Sequence, residues 1–364
     1  MSKHTDLTQF KNLVGAIRID HRAYDAIHQA LSETYDDVDS DAGVDGEPAV
    51  PACLLLIGET RTGKSSVVKD FLARNPPKRR KDGMRQAVIY AAAPPEGTVK
   101  ALLEQLLKAL GDPLWSKGSR TNMTHRLLTL LKGVGCRMII LDEFQHLVDK
   151  GQKKRLFESA DWLKNLVESR EWALVAVGLP DSVSVVNANP QLKARFDAPL
   201  TMPLFNWQDD HSRRQFKAVL KAFAMELQPF ELPALESDEI ALRLYLATSG
   251  RLGLFAKLMD RAVKTAIRHN TTAIRLDDLA AAFDRAIWYA PTFPLEDGPF
   301  GANLDLCRQD EILDQVRALA QQDAYADTSG AVSITASPTA RPAGTGRKGR
   351  GTKRELRDQM ARAL

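Results

Sequence analysis

Apolar residues follow two rhythms along the first 206 positions. CLLLI (53–57), AVIYAAA (87–93), RMIIL (137–141) and WALVAVG (172–178) are short, nearly unbroken apolar runs. Runs of this kind, without polar alternation, predict strands buried on both faces. Between them, apolar residues recur at helical spacing over 64–74, 98–110, 121–132 and 153–169. A last strand is expected over APLTMPLF (198–205). Strands alternating with helices predict an α/β core: a parallel five-stranded sheet covered by helices.

After Phe205 the strand rhythm stops. Helical spacing fills 208–227, 236–248, 252–268 and 276–289, with TSG (248–250) and HNTT (269–272) as breaks. A small all-α segment is expected there, and one further helix over 305–323. Another helix is expected at 20–35, with Asp20 as its N-cap. The expected organisation has five parts. They are an N-terminal helical extension with an acidic linker (1–47), the core (48–206), a helical lid (207–290), a helical extension (291–324) and a low-complexity basic tail (325–364).

Charge changes this picture locally. The net charge is only +4, yet Glu33 to Glu47 holds seven acids and no base, and Arg341 to the end holds eight bases against two acids. The remainder is mildly basic, so nucleic-acid contact is expected through a local patch. No window approaches the roughly 18 apolar residues of a membrane span. The start, MSKHTDLTQFKNL, has no apolar signal core. Cys53, Cys136 and Cys307 are far apart, with no metal or disulfide spacing, and fit a reducing cytoplasm.

Gly58-Glu59-Thr60-Arg61-Thr62-Gly63-Lys64-Ser65, followed by Ser66, stands between an expected strand and an expected helix. Glycines at both ends of this turn let backbone N–H groups face phosphates, and the helix N-terminus adds its positive end. Lys64 is expected on the β- and γ-phosphates and the Ser65 hydroxyl on Mg²⁺. MIILDEF (138–144) puts two acids where a parallel strand ends. Asp142 is expected to hold Mg²⁺ and Glu143 to polarise a water. A small-molecule kinase or GTPase needs no second acid there. The expected cofactors are ATP and Mg²⁺. The intervening strand at 87–93, between the P-loop strand and the acidic strand, is as in ATPases of the AAA+ class.

GDP (111–113), KGSRTN (117–122), the Gly-Val pair before the acidic strand, DEFQHL (142–147), VGLPD (177–181) and NPQLKARF (189–196) carry a resemblance. Over roughly residues 20 to 290 the chain resembles the TnsC/TniB family, AAA+ regulators of DNA transposition. The resemblance implies a bacterial, nucleoid-associated ATPase that forms a ring or helical homo-oligomer around double-stranded DNA. ATP binding would switch assembly on, and hydrolysis would disassemble or proofread. Implied partners are a DDE transposase and a target-selection protein of the TniQ type.

The same resemblance suggests residue roles. Arg195 matches an arginine finger lent to a neighbouring copy; otherwise it is a surface arginine on a short helix. Arg251 matches a lid arginine touching the γ-phosphate; otherwise it is a surface charge at a helix start. The sensor 1 place reads Val177-Gly178-Leu179-Pro180, without an amide or hydroxyl, and that role is left empty. Gln145 and His146 would relay nucleotide state to DNA loops, or His146 faces solvent. Lys117, Arg120 and Thr121 match DNA-backbone contacts; otherwise they form a solvated loop. KRRK (78–81) precedes a strand and is expected at the sheet end opposite the nucleotide. The rival functions are a helicase loader, an origin-type initiator, or an ATP-sensing DNA scaffold with little turnover.

Overall fold

Unbroken apolar strands need cover on both faces, and the chain supplies it in order. The computed structural model describes residues 7–17, 21–39, 51–81, 83–148, 153–168, 171–301 and 309–328. Asp20, the acidic linker beyond Asp39, Cys307 and the tail from residue 329 lie outside the described residues. Residues Met1–Ala326 form one compact unit and Asp327–Leu364 a second.

The chain opens with α1 (Leu13–Ala16) and α2 (Arg22–Asp36). Then come β1 (Leu54–Ile57), α3 (Lys64–Arg74), a hairpin of β2 (Lys78–Arg80) and β3 (Gly83–Arg85), and β4 (Val88–Ala92). Next are α4 (Val99–Ala109), α5 (Arg120–Val134), β5 (Met138–Asp142), α6 (Lys153–Glu168) and β6 (Ala173–Gly178). Short helices α7 (Val183–Asn187) and α8 (Pro190–Lys193) lead to β7 (Leu200–Thr201). The rest is helical: α9 (Asp210–Glu226), α10 (Asp238–Thr248), α11 (Leu252–Arg268), α12 (Leu276–Ala286) and α13 (Gln309–Thr328).

The sheet is parallel and five-stranded, in the order β4-β5-β6-β1-β7. Although β4 intervenes between the P-loop strand and the acidic strand in sequence, in space β6 separates them and β4 is an edge. Side chains alternate across the sheet, as the pleat requires. Leu55, Ile139 and Leu141 enter the core under α4, α5 and α6. Leu54, Leu56, Met138 and Ile140 enter the opposite core with Val67, Val68 and Phe71 of α3. Tyr24, Ile27 and Leu31 of α2 complete that second core. The N-terminal helix is thus built into the sheet's cover.

Four details differ from the sequence expectation. The last strand pairs only at Leu200 and Thr201, against Leu56 and Ile57; Pro199 and Pro203 flank it and offer no N–H to a ladder. The KRRK stretch forms one arm of an antiparallel hairpin, Lys78 opposite Arg85, a pairing not among the expected strands. Helix α5 starts at Arg120, because the Ser119 side chain accepts the N–H of Asn122 at 3.3 Å as an N-cap. The N-cap of α2 is His21, with no side-chain cap bond.

Helices α9 to α12 share a third core, in which Phe216, Leu244, Phe255 and Phe283 are buried. Ile312, Leu313 and Val316 of α13 pack into it, so the helix after the lid is part of the lid's packing. Cys53 and Cys136 are free and buried, and burial pushes their thiols up to about 11 and about 12. Among the described residues no group of three His, Cys, Asp or Glu has metal-binding geometry, and no helix is long and apolar enough to cross a membrane.

Leu31 is fully buried between α2 and the sheet. We expect Leu31→Ala to lower the unfolding free energy by about 2–5 kcal/mol, read from denaturant midpoints.

Candidate functional site

The turn after β1 closes on its glycines. A Cβ on Gly58 would lie 2.7 Å from the Met202 carbonyl oxygen, so a larger residue does not fit. Gly63 has φ +111°, a conformation suited to glycine, and is the N-cap of α3. Arg61 holds a left-handed φ of 63°. The Thr62 hydroxyl donates to the Glu59 carbonyl at 2.8 Å, tightening the loop. Glu59, Thr60, Ser65 and Ser66 are half-buried around it. The first N–H groups of α3 have no partner within the helix and carry its positive end. This is a cradle for phosphate oxygens.

Lys64 begins α3 and is buried. Its ammonium donates to the carbonyls of Gly58 at 2.7 Å and Glu59 at 2.8 Å. Burial lowers its pKa, while Asp142, Glu143 and Glu59 pull it back up. The Ser65 hydroxyl donates to Asp142 Oδ2 at 3.1 Å, so the two expected metal ligands, distant in sequence, meet. Asp142 is buried at the end of β5 and accepts two more bonds. One comes from the Glu143 N–H at 2.8 Å, the other from the Tyr90 hydroxyl at 3.0 Å. Burial and then Asp142 hold the Tyr90 phenol well above its ordinary pKa, which keeps it a donor. Tyr90 escaped the sequence reading; its signal was one hydroxyl in the middle of an apolar strand.

Glu143 is exposed, with φ 54°, and Gln145 Nε2 donates to its carboxylate. His146 is half-buried, and its Nδ1 lies 3.0 Å from the Ala93 carbonyl beyond β4. A cavity of about 130 Å³ opens beside Thr62, Gly63 and Ser66. Ile17, His21 and Tyr24 line it from the N-terminal segment, Phe223 and Leu252 from the helical segment, and Met202 from beyond β7. None of these wall residues was singled out from sequence, because no local motif unites them.

Arg251 is not a surface charge. It is buried and caps α11 at its N-terminus. Two residues on, the Gly253 N–H donates to the Arg61 carbonyl at 2.8 Å, so the lid touches the phosphate turn through backbone. Arg195 lies elsewhere. Its carbonyl accepts the Cys53 N–H at 2.8 Å, at the start of β1, whereas the phosphate turn leaves the end of that strand. Five residues of strand span about 16 Å. The Arg195 backbone therefore stands about one strand length from its own phosphate cradle.

Lys117, Arg120 and Thr121 are all exposed. Lys117 is in the turn before α5, and Arg120 and Thr121 open that helix. A residue missed from sequence organises them. Arg126 donates to Asp112 Oδ2 at 2.8 Å, to the Leu114 carbonyl at 2.7 Å and to the Lys117 carbonyl at 3.1 Å. The turn also exposes Leu114 and Trp115. The β2–β3 hairpin lies at the other end of the sheet. With Arg74 and Arg137 it borders an open hollow of about 400 Å³ next to Ala87, where β4 begins.

The site residues suit a magnesium nucleotide: a glycine cradle that a Cβ would fill, a buried lysine, and a hydroxyl paired with a buried carboxylate. Comparison with known proteins agrees with the fold. Orc1 of Aeropyrum pernix, solved in complex with DNA, matches with TM-score 0.53 at 18% identity, over 85% of this chain and 87% of that one. Cdc6p of Pyrobaculum aerophilum matches with TM-score 0.55 at 13% identity, over 87% of each chain. Likeness at these identities establishes the fold, that of AAA+ ATPases. No curated protein matches the chain. The family model described as Bacterial TniB protein matches residues 21–209, more than half of the sequence. It spans the P-loop, Asp142, Glu143, Lys117, Arg120 and Arg195, and ends before α9. The chain belongs to the TniB family.

Proposed function

We propose that this chain is an ATP-dependent regulator of DNA transposition that assembles on duplex DNA and links target selection to the transposase. The observation that carries the ATPase part is the Ser65–Asp142 pair at 3.1 Å beside Lys64 in the glycine cradle. Bound Mg²⁺·ATP supplies a γ-phosphoryl group open to attack by water. Gly58 to Ser66 would hold the phosphates, with the Lys64 ammonium supplying positive charge beside them. Ser65 and Asp142 hold the metal, with Tyr90 fixing the Asp142 carboxylate. Glu143 orients the water. The hollow between Ile17, Tyr24, Phe223 and Leu252 takes the base, and Arg251 reports on the nucleotide from the lid.

Assembly follows from Arg195. Standing at the far end of β1, it serves the site of a neighbouring copy, where such an arginine is worth roughly 10³–10⁵ in rate. Each nucleotide then lies at a seam between copies, so ATP joins them around DNA. Lys117, Arg120 and Thr121 contact phosphates without reading sequence. The transposase and TniQ-type partners rest on membership of the family. An ATP-sensing scaffold with little turnover is the second reading, favoured by the bare Gly178 at the sensor place.

Lys64→Ala is expected to abolish ATP-dependent assembly on DNA. Glu143→Gln should retain ATP, lose turnover by roughly 10²–10⁴-fold, and give long-lived assemblies. Electron microscopy with duplex DNA and a non-hydrolysable ATP analogue reads both; protein that stays monomeric under every condition refutes the proposal. Loss of Lys117 and Arg120 together should weaken binding on all sequences alike and reduce the salt slope by roughly one unit per lost contact. Arg126→Ala, which frees the turn, should give part of that loss together with faster tryptic cleavage at Lys117.

A further inference from the structure

The sensor place at the end of β6 has no side chain of its own, yet it is not empty. Gly178 is tied to the phosphate turn, its carbonyl accepting the Gly58 N–H at 3.2 Å. A Cβ on Gly178 would lie 2.6 Å from Gln145 Oε1 and would also collide with the Ser182 hydroxyl. The space a side chain would occupy at Gly178 is taken by the Ser182 hydroxyl and the Gln145 amide. Gln145 reaches it from the turn after β5. Its Oε1 accepts the Leu179 N–H at 3.0 Å, while its Nε2 donates to the Glu143 carboxylate. One side chain thus spans the ends of two neighbouring strands and holds Glu143 by one oxygen. Ser182 is buried, and its hydroxyl has no hydrogen-bond partner among the described residues.

We infer that Gln145 is the positioning residue of this site: its amide takes the sensor place that Gly178 leaves free and sets the direction of the Glu143 carboxylate. The inference rests on the reading of Glu143 as the group that orients water. An exposed glutamate on a left-handed backbone has several rotamers, and a bond from a braced amide selects among them. Misplacement of a catalytic group by about 1 Å is enough to cost roughly 10²-fold in rate. Gln145 makes no bond to Lys64, Ser65 or Asp142, so nucleotide binding does not depend on it.

The test separates the two ends of the amide. Gln145→Glu keeps the shape and an acceptor for the Leu179 N–H, but replaces the donor to Glu143 with a second acid. Turnover should fall roughly 10–10²-fold, with KM and the dissociation constant of a fluorescent ATP analogue unchanged. Hydrogen exchange at the Leu179 amide should stay slow. In Gln145→Ala and Gly178→Ala that amide should exchange at least about tenfold faster, and turnover should fall as in Gln145→Glu. Added to Glu143→Gln, none of these changes should lower turnover further. Unaltered turnover in Gln145→Glu, with Glu143→Gln inactive, overturns the inference, as does unchanged Leu179 exchange in Gln145→Ala. A Glu143→Gln protein as active as the parent instead refutes the hydrolytic reading of Glu143, and Leu179 exchange still shows separately whether Gln145 holds the sensor place.

Discussion

The contact between the Ser65 hydroxyl and the Asp142 carboxylate exists only because three parallel strands end at one level. In register, Ile57 stands beside Gly178, and Leu141 beside Ala176. That alignment brings the first turn of α3 next to the last residue of β5, although β6 lies between their strands. The apolar side chains on both faces hold the register, since a slip by one residue would turn every one of them to the wrong core. The chemistry at the sheet's end is therefore held by packing well away from it.

The helical segment joins this arrangement through backbone hydrogen bonds. Gly253 bonds to Arg61, and Phe205 to Gly250 at 3.4 Å. The cavity beside the phosphate turn draws walls from the N-terminal segment, the core and the lid together. A ligand filling it would touch all three, and any shift of the lid would change its shape. Arg195 stands at the far end of the same sheet, its carbonyl bonded to the start of β1.

Several parts of the site were legible in the chain because their physics is local. A glycine turn before a helix needs only its own residues to make a phosphate cradle, and apolar runs show buried strands by composition. Tyr90, Arg126, Ile17 and Tyr24 were not legible, because each acts on partners brought near by folding. Arg126 is an ordinary helix-surface arginine in sequence; it becomes the clamp of the 112–117 turn only once α5 lies against α4. The short β7 shows the limit from the other side, since Pro199 and Pro203 were visible yet outweighed by the apolar run around them.

Gln145 and Gly178 mark the boundary most clearly. Residue order alone indicated the long apolar strands, the main helices, the phosphate turn and the acid pair, since hydrophobic period and glycine placement act over a few residues. It also showed, correctly, that the end of β6 carries no polar side chain. Only the tertiary structure decided what stands there, because β5 and β6 become neighbours by sheet pairing and an amide from one then fills the space above the other. Strand order is set by how the whole set of apolar faces is buried, which no local stretch encodes.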